Sequence, residues 1–347
     1  MKNNLFFLLL CILSFELTAH KIRALCVTGD QPRWDGLFEM APLLKKNGLI
    51  FVNTNPDVIL CNKVTDEVLQ HNRPIIILEK SAAASVTRNT KSKLHLPQVK
   101  AVFKDRILRE KTLNTIPAIR GRYFYNLIND YANIIHFDTA EQEKLSQEEL
   151  NKIKLVIWDI WGGPYNQEKF PQLVNLQVDY TKNRPIDVFF AGKSKGNNFY
   201  KWHRSKALQT IDGLTNYKTI ALDGKVLPFE EYIETMLSAK IVVSPWGLGE
   251  WCFRDFEAIH CGALLIKPDT SFVESYPDIY QNYTTYIPCK PDFSDLEEKV
   301  NYILKHYAKF KKIRKRAKQL VTTTWGLEHI ASLFVENVRL ALQEHKE

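Results

Sequence analysis

The chain has 347 residues, 45% of them hydrophobic and 25% charged, with a formal net charge of +8. That length exceeds what one core ordinarily carries, so two domains are expected, and seven Trp, fourteen Tyr and nineteen Phe supply bulk for both. The composition excludes a low-complexity or fibrous chain; the positive balance suits an anionic partner, yet no RNA-recognition signature, zinc-finger spacing or Arg-rich arm points to nucleic acid.

Met1–Asn4 precede the apolar run Leu5–Phe15, and Leu17-Thr18-Ala19 follow before His20. A basic start, a short apolar run and a small residue read as a secretory signal peptide over residues 1–19. Such a run spans about 16 Å as a helix, against a bilayer core of about 30 Å, so an uncleaved short anchor is the second reading. The expected location is the secretory pathway or a membrane surface. Beyond Cys11, the cysteines are Cys26, Cys61, Cys252, Cys261 and Cys289, an odd and irregular set that forms neither a disulfide framework nor a zinc site. Asn282-Tyr283-Thr284 is a glycosylation sequon.

From Lys21 onward, short apolar runs alternate with amphipathic segments. Strands are expected at Lys21–Thr28, Leu49–Asn53, Asp57–Asn62 and Pro74–Glu79, with helices at Phe38–Lys46 and Val64–His71. Val99–Lys104 and Leu155–Asp159 add strands, while residues 81–142 give no clear pattern. Asn183-Arg184-Pro185 reads as a linker, dividing an N-terminal domain (20–182) from a C-terminal one (183–347). The alternation then restarts: strands at Ile186–Ala191, Tyr217–Leu222, Lys240–Ser244 and Ala263–Lys267, helices at Tyr200–Ile211, Phe229–Ser238 and Glu250–Cys261. Val300–Leu320 and Trp325–Gln343 are long amphipathic helices that close the chain. The pattern defines an α/β protein with two doubly wound parallel sheets and a cleft between them.

Chemistry concentrates in Ile241–Pro268. A strand ends at Ser244, a loop with Gly247 and Gly249 follows, and a helix begins at once. Small residues there admit a ligand to the backbone, and a helix N-terminus favours phosphate oxygens. Glu250, Arg254 and Glu257 fall at i, i+4 and i+7 and so share one helix face, while Phe253, Phe256 and Ile259/His260 would pack on the sheet. Arg254 could fork onto a diphosphate, and Glu257 could accept hydrogen bonds from a ribose diol. A glycine turn followed by a helix with a Glu250–Arg254 pair would describe the same residues.

The run Ser244–Asp269, preceded by Leu227–Lys240, resembles the donor half of group 1 and exostosin-like glycosyltransferases. The matching core is Phe256-Glu257-Ala258, followed by Gly262 and a buried strand. The resemblance implies a GT-B fold of two Rossmann-like domains, a nucleoside-diphosphate sugar donor, a glycan, lipid or glycoprotein acceptor, and no obligatory metal. It places ribose at Glu257 and phosphate at Gly247, Gly249 and Arg254. Retaining members often carry two glutamates separated by seven residues; Glu250 and Glu257 are separated by six, so Glu250 does not inherit the first-glutamate role.

A second cluster follows the strand Ile186–Ala191: Gly192-Lys193-Ser194-Lys195-Gly196, then His203-Arg204. Glycine and lysines after a first strand suit a pyrophosphate, and Lys193 and Arg204 are the candidates there; a solvated basic loop is the alternative. On the acceptor side, Gly29–Gly36 includes Asp30 and Asp35, either able to take a proton from an acceptor hydroxyl, and Trp34, able to stack on a sugar. Asp30 is the candidate base, although a capped turn would use the same residues. Lys305–Lys318 is the densest basic run and suits either a solvated helix face or an anionic membrane surface. The rival to a glycosyltransferase is a bilobed solute-binding protein, which would have no need of the Gly247–Glu257 constellation.

Overall fold

Short, fully buried runs such as Val58–Cys61 and Ile75–Leu78 can be satisfied only where a sheet is covered on both faces, and they become central strands. The computed structural model describes residues 21–27, 35–119, 122–132, 145–158, 172–195, 199–324 and 326–344. The first sheet takes β1 (Ile22–Val27), β2 (Leu49–Phe51), β3 (Val58–Cys61), β4 (Ile75–Leu78), β5 (Val99–Lys104) and β7 (Ile153–Leu155) in the order β2-β1-β3-β4-β5-β7. All its pairings are parallel. The second takes β8 (Ile186–Gly192), β9 (Thr219–Asp223), β10 (Ala239–Val243), β11 (Leu264–Pro268) and β13 (Ile287–Cys289) in the order β13-β11-β10-β8-β9, again parallel throughout. These are two Rossmann-like domains, the architecture expected from the alternating pattern.

The helices of the first half are α1 (Asp35–Glu39), α2 (Ala41–Lys46), α3 (Asp66–Gln70), α4 (Arg88–Lys91), α5 (Tyr123–Ala132) and α6 (Gln147–Asn151). Those of the second are α7 (Phe199–Asp212), α8 (Phe229–Leu237), α9 (Phe253–His260), α10 (Leu296–Lys305), α11 (Lys311–Thr324) and α12 (Leu327–Gln343). Among the described residues, no helix is long and apolar enough to cross a membrane. Cys26, Cys61, Cys252, Cys261 and Cys289 are free thiols.

The two halves are tied together at several points. β6 (Arg106–Leu108) pairs antiparallel with β12 (Val273–Ser275), joining one domain to the other. The segment after β4 meets the loop after β10, because the Ala84 N–H donates to Glu250 Oε2 (3.0 Å) and Arg122 Nη1 donates to Leu248 O. The carboxyl ends of both sheets therefore face one another, where ligands bind in open parallel sheets.

Several expectations need correcting. The helix expected at Glu250–Cys261 begins only at Phe253: Cys252 is its cap, and the Cys252 N–H is held by the Asp255 carboxylate (3.1 Å). Glu250 therefore lies in the loop, and its partner is the amide of Ala84 rather than Arg254. Phe253 is 48% exposed instead of packing on the sheet. The helix expected at Val300–Leu320 is two helices, because α10 stops at Lys305 and a tight turn spans Tyr307–Phe310. That break lets Arg314 turn inward, donating from Nε to Gly262 O (2.8 Å) beside the rings of Tyr180 and Tyr307. Arg184, expected in a linker, is buried and caps the carbonyls of Ala239 and Cys261. The strand expected at Leu155–Asp159 ends at Leu155; beyond it Trp158 is buried and its Nε1 donates to Phe103 O (3.3 Å).

Candidate functional site

In the second sheet β8 lies between β9 and β10, so successive crossovers leave it in opposite directions. The crevice outside the carboxyl ends of β8 and β10 is the topological switch point, where such sheets take their ligands. Each candidate side chain arrives there on its own element. β8 leads to Gly192 and α7, which carries His203 and Arg204; β10 leads through Gly247 to α9, which carries Arg254 and Glu257.

Arg204 sits between two glycines. A Cβ on Gly247 would lie 3.1 Å from Arg204 Nη2, and one on Gly192 would lie 3.5 Å from Arg204 Cδ. Any larger residue at 247 would press on the guanidinium, which also lies 5.0 Å from the Tyr200 ring centroid. Burial, and then the like charge of Arg254, hold the Arg204 guanidinium below its ordinary pKa. The Nε atoms of both Arg204 and Arg254 are buried and, among the described residues, have no hydrogen-bond partner. Two cations with unsatisfied donors, side by side in a low-dielectric crevice, are a costly arrangement that an anion relieves.

Glu257 follows Arg254 by three residues on α9 and lies on the same face. It is 5% exposed, and Tyr232 of α8 donates to its Oε2 at 2.6 Å. A buried carboxylate fixed by a phenol one turn from a cation pair is placed to meet hydroxyls of a ligand whose anionic part lies on the arginines. Lys193 is exposed at the rim, its stem against Gly224. Gly249 has a different neighbour: a Cβ there would fall 1.5 Å from Ala82 O, so its bareness answers the other domain's backbone. Asp30 and Trp34, and the signal segment 1–19, lie outside the described residues.

Sequence reasoning missed the base of the site. Asp255 and Lys267 form a fully buried pair (3.1 Å), and the Tyr280 hydroxyl donates to the same carboxylate (2.7 Å). Since Asp255 also holds the Cys252 amide, this network fixes the first turn of α9 and with it Arg254. The signal available was a carboxylate three residues after the cap position. Beneath Arg204, His203 stacks on Trp246 (5.3 Å between centroids), and the Trp246 Nε1 donates to Thr270 Oγ1 (2.9 Å). Burial pushes the His203 pKa down to about 3, so the ring is neutral. Among the described residues, no group of His, Cys, Asp and Glu side chains is arranged to hold a metal ion.

Residues 191–336, which contain every candidate on the second sheet, match the glycosyl transferase-like family. The match falls on the domain that builds the crevice. No curated protein matches the sequence. Distant structural likenesses include a glycosyltransferase from Rickettsia africae ESF-5, at 12% identity and TM-score 0.45 over 94% of this chain and 99% of that one. Another is an α1,3-fucosyltransferase solved with GDP-fucose, at 12% identity and TM-score 0.45, covering 93% and 90%. A third is the pneumococcal O-GlcNAc transferase GtfA with UDP and GlcNAc, at 11% identity and TM-score 0.42, covering 89% of this chain and 60% of that one.

Proposed function

We propose that the chain moves a sugar from a nucleoside-diphosphate sugar to a glycan, lipid or glycoprotein acceptor, with the donor diphosphate on Arg204 and Arg254. The observation that carries this reading is the pair of neighbouring guanidiniums, each with a buried Nε that has no partner among the described residues, at the switch point of the second sheet. Glu257 takes the ribose diol, and Gly247 leaves room for the phosphate beside Arg204. Lys193, at the rim, meets the terminal phosphate. As the glycosidic bond breaks, negative charge builds on the leaving diphosphate, and fixed cations stabilise that charge more than the ground state. If the transfer inverts the anomeric centre, the acceptor hydroxyl needs a base, and Asp30, three residues beyond β1, is the candidate.

Titration calorimetry with UDP and GDP tests the donor site directly. Wild-type protein is expected to bind one of them in the micromolar range, and Arg254→Ala and Glu257→Ala to abolish that heat. No binding of either nucleotide to folded wild-type protein would remove the reading.

Two finer elements belong to the same proposal. The exostosin-like subgroup is favoured by the Phe256-Glu257-Ala258 core followed by Gly262, and a secretory location by residues 1–19. Association with an anionic membrane surface is supported by Lys305, Lys309, Lys312, Lys315 and Arg316, all exposed around α11. Co-sedimentation with phosphatidylserine vesicles that persists in 0.5 M salt (roughly a 4 Å screening length) would argue against an electrostatic surface of this kind.

A further inference from the structure

Resting on the proposed donor site, we infer that Gly249 and Glu250 form a latch through which contact between the domains assembles that site. The loop Gly247–Cys252 has two sides. Gly247 and Cys252 border the Arg204–Arg254 crevice, since a Cβ at Gly247 would meet both Arg204 Nη2 (3.1 Å) and Cys252 Sγ (3.5 Å). The residues between them each meet a segment of the other domain, although Trp251 also packs edge-on against Phe256 of α9. Leu248 O accepts from Arg122, Gly249 abuts Ala82 O, Glu250 Oε2 accepts from the Ala84 amide, and Trp251 lies under the Arg106 guanidinium at 4.1 Å.

Glu250 makes this contact reversible. Its carboxyl group is wholly buried and its pKa is raised by that burial; its own backbone amide, the Ala84 amide and the charges of Arg106 and Lys104 offset part of the lost hydration, and among the described residues Oε1 has no hydrogen-bond partner. A purely structural clamp would satisfy both oxygens or use an apolar side chain. A half-satisfied carboxylate instead leaves the closed arrangement poised, so that an anion on Arg204 and Arg254 and the first domain on Glu250 stabilise the same loop conformation. Glu250 is on this view a positioning residue: it acts on the donor through the loop and through Arg254, which follows it by four residues.

The test uses full-length protein and three variants: Gly249→Ala, Glu250→Ala and Glu250→Gln. Small-angle scattering without ligand is expected to show a larger radius of gyration for Gly249→Ala, whose Cβ cannot coexist with Ala82 O. Hydrogen exchange at the Ala84 amide is expected to quicken about tenfold in Glu250→Ala, the loss of one charged hydrogen bond, and to be restored in Glu250→Gln, which keeps an acceptor. UDP and GDP titrations should then show weakened binding in Glu250→Ala, and donor turnover should show a raised KM with kcat less affected. Unchanged scattering in Gly249→Ala together with unchanged Ala84 exchange in Glu250→Ala would overturn the latch. Wild-type protein that binds neither nucleotide but still shows those ligand-free differences would overturn the donor reading while leaving the domain contact standing.

Discussion

Arg204 and Arg254 trade stability for binding. Each is half-buried with an Nε that has no partner among the described residues, and burial, followed by repulsion from the charge of Arg254, depresses the Arg204 pKa. Replacing Arg204 by Gln removes that repulsion. In the ligand-free protein the urea midpoint is expected to rise, by about 1 kcal/mol in stability, while UDP or GDP affinity falls tenfold or more. A variant that is both less stable and unimpaired in binding would contradict this account. Arg254→Lys should keep the charge yet lose most of the affinity, because an ammonium cannot fork onto two phosphate oxygens. The shared face of Arg254 and Glu257 is legible in the sequence, since three-residue spacing on a helix fixes it whatever the helix packs against. The place of Glu250 is not legible, because it depends on a cap at Cys252 and on an amide 166 positions earlier.

At the scale of the element, α9 is held in place by its first turn. Asp255 accepts from the Cys252 amide and the Tyr280 hydroxyl and pairs with Lys267, all away from water. Asp255→Ala leaves the Lys267 ammonium buried without its partner, and a loss of about 3–5 kcal/mol follows for breaking such a pair. Thermal unfolding of the variant measures it; a double variant, Asp255→Ala with Lys267→Met, should recover a large part. A single variant within 1 kcal/mol of wild type (about the size of an ordinary surface change) would mean that the pair is solvated in solution. Four of the five strands of the second sheet can be read from sequence to within about two residues, because a run such as Ile241–Val243 has no alternative to burial on both faces, whereas the three-residue β13 is too short to show a pattern. The break between α10 and α11 cannot, since Tyr307, Phe310 and Ile313 keep apolar spacing across it and only the inward turn of Arg314 shows why the chain bends.

For the whole molecule, the last helix and the buried histidines decide how the fold responds to conditions. α12 follows the second domain in sequence but packs on the first: Phe334 meets Phe103 edge-on at 5.8 Å, and Arg339 donates to Asn47 O (2.7 Å). An amphipathic pattern tells which face of α12 is apolar and nothing about which sheet receives it, which is why sequence alone assigns the helix to the nearer domain. The histidines set an acid limit on this assembly. His203 lies beneath the crevice and His260 at the end of α9, and burial pushes each pKa down to about 3. An unfolded histidine titrates near 6.5, so below that pH the unfolded chain binds protons that the folded chain refuses. The stability these residues contribute is whole above pH 6.5 and is lost progressively towards pH 3. At pH 5 the loss is about 2 kcal/mol for each. Glu250, whose pKa burial raises, works in the opposite sense, but it is one group against two. Urea unfolding at pH 7 and pH 5 is therefore expected to show a marked drop in midpoint, and His203→Phe, which keeps a ring against Trp246, should remove close to half of it. The same drop in that variant as in wild type would mean that the His203 ring is reached by solvent, and the packed floor described beneath Arg204 would be wrong.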